Sequence, residues 1–179
     1  MTSSKPHQYI KGWVEFYKLK FKVSPDVLIP RLETELLVDE VLRFISQLQV
    51  TDLSTSILDL GTGTGNIAIS LVKNLSHPVT RFGYAQGVTI LATDISKKAL
   101  KVARQNARLH GVENQIIFLE SNLLNQLGDS PDIIVTNLPY IPSGRIPYLE
   151  SSVKDFEPLV ALNGGEDGFE LYRKLFKQI

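Results

Sequence analysis

The sequence contains no cysteine. Disulfides, thiolate metal sites and a cysteine nucleophile are therefore excluded. Long apolar runs are missing too. No window approaches the roughly 18 consecutive apolar residues of a membrane-spanning helix. The first residues mix Lys5, Lys11, Glu15, Lys18 and Lys20 with scattered aromatics, which is neither a secretory leader nor an anchor. Net charge is absent, since 19 basic residues balance 19 acidic ones. No basic tail or patch stands out, so nothing in the charge pattern calls for nucleic acid, and a protein partner fits at least as well. His7, His77 and His110 are scattered without ligand partners at metal spacing, so no metal is expected. No order of serine, histidine and aspartate suggests a hydrolase. What remains is a chain expected to be cytoplasmic. Its 179 residues, 43% hydrophobic and 21% charged, suffice for a domain with a real core.

What is present reads as alternating strands and helices. Alternation over residues 12–24 predicts a short strand or hairpin, with Phe16, Lys18, Lys20 and Lys22 opposite Tyr17, Leu19, Phe21 and Val23. A proline-punctuated loop follows, then a helix from about Glu33 to Leu48, whose apolar stripe is Val38, Val41, Leu42 and Ile45. Ser56–Asp59 is a buried strand running into Gly61-Thr62-Gly63-Thr64-Gly65 and a helix. Residues 74–87 read as a loop, and Val88–Thr93 as a second strand ending at Asp94. Ser96 is placed to cap the next helix, which buries Leu100, Ala103 and Ala107 and stops near Gly111. Gln115–Leu119 and Asp132–Thr136 are the third and fourth strands. A last helix starts near Gly168, with Leu171, Leu175 and Ile179 at helical spacing. The boundaries divide the chain into an N-terminal segment, 1–24, and a main domain, 25–179. Strand–helix alternation predicts an α/β fold with a parallel sheet and right-handed crossovers.

In such sheets ligands bind beyond the carboxyl ends of the strands. The polar candidates converge there: the glycine turn after strand one, Asp94 after strand two, Ser121 and Asn122 after strand three, and Asn137 after strand four. The turn has the spacing G-x-G-x-G, unlike the G-x-G-x-x-G of dinucleotide enzymes, so diphosphate binding loses support. The amino-acid end of a nucleoside ligand without phosphate could be met by the turn's backbone and by an acid such as Asp59. Asp94 can accept from both hydroxyls of a ribose, although it could equally serve as a helix N-terminal acid. Asn122 and Leu123 are candidates for an adenine contact.

Asn137-Leu138-Pro139-Tyr140 resembles the Asn-Pro-Pro-Tyr signature of methyltransferases acting on planar nitrogens. Leu28-Ile29-Pro30-Arg31-Leu32-Glu33-Thr34-Glu35 resembles the Leu-Ile-Pro-Arg-Pro-Glu-Thr-Glu segment of HemK-type release factor glutamine methyltransferases. Phe156-Glu157-Pro158, Ala161-Leu162, Gly164-Gly165 and Asp167-Gly168 are similar to that family's segment after the signature. The resemblance implies a Rossmann-like class I S-adenosyl-L-methionine-dependent methyltransferase. Its substrate would be a peptide chain release factor, methylated on the glutamine of a Gly-Gly-Gln tip. It implies cofactor contacts from Asp59, Gly61, Thr62, Gly63, Thr64, Gly65, Asp94, Asn122, Leu123 and Asn137. It implies catalytic roles for Asn137, Leu138, Pro139 and Tyr140. The Asn137 side-chain oxygen and the Leu138 carbonyl would hold the substrate amide, with Tyr140 against its plane. Arg31 and Glu35 are read as ion-pair formers rather than ligand contacts. Leu138 and Leu32 depart from the family, which carries proline at both places. The family also has an N-terminal helical domain and further C-terminal strands. The sheet is therefore expected to be incomplete at the C-terminus, or completed by a partner chain. A DNA or RNA amino methyltransferase and an inactive cofactor-binding remnant remain open alternatives.

Overall fold

The computed structural model describes residues 5–47, 54–76 and 87–179. After a short helix α1 (His7–Lys11), strands β1 (Trp13–Phe16) and β2 (Leu19–Lys22) form an antiparallel hairpin. Its turn residues Tyr17 and Lys18 have φ of 49° and 59°, the left-handed geometry that matches hairpin twist. A two-residue turn pairs Phe16 with Leu19 and Val14 with Phe21. Phe16 therefore shares a face with Phe21 rather than with the lysines, a correction to simple alternation. Both rings are buried in the main core and meet edge to face, with centroids 6.0 Å apart. The turn is anchored to the next helix: the Tyr17 amide donates to Glu35 Oε1 at 2.7 Å, and its hydroxyl to Asp39 at 2.7 Å.

The expected helix at Glu33 begins as a 3-10 turn, Leu32–Thr34, and becomes α2 (Glu35–Gln47). Leu48 lies outside the described residues. Val38, Val41 and Ile45 are buried on one stripe. The main sheet is parallel, with strands β3 (Ser54–Leu60), β4 (Gly87–Asp94), β5 (Ile116–Glu120) and β6 (Ile133–Thr136) in the order β5-β4-β3-β6. The fold is α/β and Rossmann-like. Helices α3 (Asn66–Asn74) and α4 (Lys97–Leu109) return the chain between strands. Of the loop read at 74–87, residues 77–86 lie outside the described residues, as does His77. Ser96 caps α4 by accepting from the Ala99 amide at 3.2 Å.

Side-chain parity separates two layers. Ile57, Ile90, Ile116 and Val135 face α2, α3 and α4 in the largest core cluster. Leu58 and Leu60 face the other way, onto Leu123, Leu138 and Leu175. Leu175 belongs to the last helix, α6 (Glu170–Phe176), which follows a short α5 (Ser151–Lys154). Ile179, read at helical spacing with Leu171 and Leu175, lies beyond the end of α6 and is 75% exposed. Among the described residues, no helix is long and apolar enough to cross a membrane.

The strand order fixes where a ligand could enter. From β3 the chain winds outward through β4 to β5, then returns to the other side of β3 as β6. Loops leaving β3 and β6 therefore diverge, opening a crevice at their carboxyl ends.

Candidate active site

The crevice is built from backbone first. Gly61 and Thr62 amides both donate to the Thr93 carbonyl, at 2.9 and 2.7 Å, which seats the glycine turn on the end of β4. Gly61, Gly63 and Gly65 all have positive φ, so the turn needs residues without a Cβ. At Gly65 space decides as well, since a Cβ would lie 3.2 Å from that of Ala103 on α4. Asn106 of α4 ties the turn to the hairpin: its amide group donates to the Thr64 carbonyl at 2.9 Å and the Lys22 carbonyl at 3.1 Å, and its oxygen accepts from the Lys22 amide at 2.7 Å.

The residues singled out in the sequence divide into two groups. Gly61, Gly63, Asp94, Asn122 and Leu123 line one cleft, and Asn137, Leu138 and Pro139 line the same cleft from the β6 side. Asp59, Thr62, Thr64 and Gly65 do not line it; Asp59, Thr62 and Thr64 are at most 3% exposed. Tyr140 is 61% exposed and borders a neighbouring depression with Pro142 and Tyr148.

Asp59 sits behind the turn because it shares strand parity with Ile57, facing the helices. Its Oδ2 accepts from the Thr62 hydroxyl at 2.6 Å and the Ala68 amide at 3.1 Å, pinning the turn to α3. Burial pushes its carboxyl up to about 7, against those two hydrogen bonds and with the help of the Asp94 charge. Because the folded-state value lies above the unfolded one, the native state holds the proton more tightly between these values. Stability is thus fully present below the ordinary carboxylate range and falls as pH rises through neutrality. Asp59→Asn removes this titration. The melting temperature of the wild type minus that of the variant is expected to drop steadily from pH 4 to pH 8; a flat difference would remove the buried acid from the account.

Asp94 stands at the cleft wall. Its two oxygens accept from the Gly63 amide at 2.9 Å and the Ser96 amide at 2.8 Å, which leaves further lone pairs toward the cleft. Burial raises its carboxyl above the ordinary range, opposed by those backbone hydrogen bonds. Leu123 is buried with φ of 54°, and the Ser121 hydroxyl donates to its carbonyl at 2.6 Å. Left-handed backbone in a bulky residue is costly and tends to persist where neighbours enforce it, often at functional sites.

On the opposite wall, the Asn137 amide group donates to Thr34 Oγ1 at 3.2 Å. Leu138 is buried among Leu60, Leu123 and Leu175, and its carbonyl lies 3.4 Å from the Tyr172 hydroxyl, a long contact. Residues 139–142 are backed by the main chain of the following segment. Ile141 donates to the Leu162 carbonyl at 3.1 Å, and Gly164 to the Ile141 carbonyl at 2.9 Å. A Cβ on Gly164 would come within 2.8 Å of the Pro139 carbonyl oxygen, so this crossing is possible only with glycine.

The third wall comes from both flanking motifs. Val27 and Leu28 line the cleft on one side, and Pro158, Val160 and Ala161 on another. Glu157 joins them: its side chain is 1% exposed, pairs with Arg31 at 2.6 Å and accepts from the Ile29 amide at 3.2 Å. Glu35, by contrast, is spent on the Tyr17 amide rather than on an ion pair. Sequence reasoning did not assign these wall residues. Their signal was present in the two motifs, but the contacts span more than a hundred residues.

Comparison with known proteins gives this geometry its setting. Release factor glutamine methyltransferase of Thermodesulfovibrio yellowstonii is 40% identical over 173 residues, which is 96% of this chain and 57% of that protein. The protein of the same name from Moorella thermoacetica is 42% identical over 171 residues, covering 95% of this chain and 55% of its own length. The chain thus spans little more than half the length of these curated relatives. Among solved structures, the hMettl16 catalytic domain in complex with MAT2A 3'UTR hairpin 6 has a TM-score of 0.64 at 18% identity, over 90% of this chain and 56% of that one, and shares its fold. The model of the methyltransferase small domain matches residues 38–147, from α2 through the glycine turn, Asp94 and the Asn137 loop, and the chain belongs to that family.

Proposed function

We propose that the chain transfers a methyl group from S-adenosyl-L-methionine to the side-chain amide nitrogen of a glutamine in a peptide chain release factor. One observation carries the reading: Gly63, Asp94 and Asn137, which leave three different strands, open onto a single cleft. The relatives' names supply the substrate class. The residues fit the cofactor. An open glycine backbone, a carboxylate with spare lone pairs and an apolar wall suit a nucleoside without phosphates. Bound there, S-adenosyl-L-methionine supplies an electrophilic methyl group.

The chain's own residues do the rest. Asp94 accepts from the ribose hydroxyls. Leu123 and Ile95 give apolar surface to the base. An amide nitrogen is a poor nucleophile, because its lone pair is delocalised into the carbonyl. Asn137 Oδ1 and the Leu138 carbonyl accept from its two N–H groups and turn its face toward the methyl carbon. The nitrogen–carbon bond forms as the carbon–sulfur bond breaks, the sulfur departs as a neutral thioether, and one of the two amide protons is released to solvent. Alignment of this kind lowers barriers by up to about 7–11 kcal/mol in ideal systems. Tyr140 stands at the exposed rim, where an incoming peptide would cross. Asp59, Thr62, Thr64 and Gly65 act behind the turn, holding its shape.

The test uses the full 179-residue chain. Calorimetry with S-adenosyl-L-methionine is expected to give one site. A radiolabelled methyl group is then expected on a recombinant release factor, and not on a variant whose Gly-Gly-Gln glutamine is replaced. Label appearing only on nucleic acid, or no cofactor binding at all, overturns the reading.

A further inference from the structure

Asn137 needs its oxygen, not its nitrogen, toward the substrate. A carboxamide has two nearly isosteric orientations, and only its hydrogen-bond partners choose between them. The wall opposite the cleft supplies such a partner. Thr34 is 7% exposed, and its Oγ1 accepts from Asn137 Nδ2 at 3.2 Å across 103 positions of sequence. With Nδ2 against Thr34, Oδ1 is the opposite in-plane end of the carboxamide, without that contact.

Thr34 is itself held. It closes the 3-10 turn Leu32–Thr34 by donating its amide to the Arg31 carbonyl at 3.0 Å. Arg31 is tied to the buried Glu157, and Glu35 to the hairpin amide of Tyr17. The hydroxyl therefore sits on a strap fixed at both ends, and does not line the cleft.

We infer that Thr34 is a positioning residue that holds the Asn137 carboxamide in place for methyl transfer. The inference rests on the proposed function for its kinetic consequence, but not for the contact itself. Thr34→Val removes the hydroxyl at nearly constant volume, and Thr34→Ser keeps it. In the full chain, Thr34→Val is expected to lower kcat about tenfold, equivalent to about 1.4 kcal/mol of barrier. KM for S-adenosyl-L-methionine should stay unchanged, and Thr34→Ser should recover most of the loss. A merely structural role would instead move the melting temperature and both kinetic constants together.

An independent readout is the side-chain amide pair of Asn137 in a nitrogen–proton correlation spectrum, identified as the pair missing from Asn137→Ala. It should shift in Thr34→Val and return toward its wild-type position in Thr34→Ser. An unmoved pair, an unchanged kcat in Thr34→Val, or a failure of serine to rescue overturns the inference. If the wild type transfers no methyl group to a release factor, the functional reading fails on its own, and the amide spectrum still decides whether Thr34 holds Asn137.

Discussion

Asn137→Ala is expected to cut kcat for methyl transfer by roughly 10²–10³, the loss typical of removing one preorganised polar group from a reacting centre. Affinity for S-adenosyl-L-methionine, measured by calorimetry, should change little. The reason for the split lies in the two walls. Gly63 and Asp94, proposed to hold the cofactor, follow or end β3 and β4, while Asn137 leaves β6 across the crevice. Truncating Asn137 also frees Thr34 of its partner, a loss of about 1 kcal/mol in stability that leaves the fold intact. Transfer at the wild-type rate by Asn137→Ala would end the assignment of this loop as the place of reaction.

Glu157→Ala is expected to be the most damaging of the changes to stability. The carboxylate is almost wholly enclosed, and it answers two groups at once: the Arg31 guanidinium and the Ile29 amide. Removing it strands a cation and a buried backbone donor. A fully enclosed pair broken in this way costs about 3–5 kcal/mol, but the Arg31 side chain is 38% exposed and can rehydrate, so about 2–4 kcal/mol is expected. For a chain of this length that corresponds to a melting temperature lower by roughly 5–15 °C. The same change should raise KM for the cofactor, because Val27 and Leu28 on one side and Pro158 and Ala161 on the other lose their common tie. Glu157→Gln keeps an acceptor for Ile29 and should fall between. A melting curve for Glu157→Ala that overlays the wild type would show that the two motifs are not joined through this side chain.

Much of the cleft was legible in sequence because its lining is local. Short apolar runs ending at Asp94 and Asn137 mark strand ends, and parallel strands must present those ends on one rim. The glycine turn announces itself by spacing. Asp59 is the instructive exception. It stands two residues before the turn, yet period two along β3 places it with Ile57 toward the helices, whereas Leu58 and Leu60 look toward the cleft side. Counting parity along the strand separates Asp59 from Leu58 and Leu60. Phe16 went astray for a related reason, since a two-residue turn reverses the face that simple alternation continues. The ties of Thr34 to Asn137 and of Glu157 to Ile29 and Arg31 could not be read at all. They join segments whose proximity is a product of the completed sheet, and no local pattern encodes them.

Leu138 fills the position where the signature it resembles has a ring-locked backbone. Here confinement comes from outside the residue: leucines close around its side chain, and the Gly164 crossing presses on the loop just beyond it. Stiffness is thereby a property of the neighbourhood rather than of one letter of the motif. A search that demanded proline at this place would pass over chains that brace the same loop from behind.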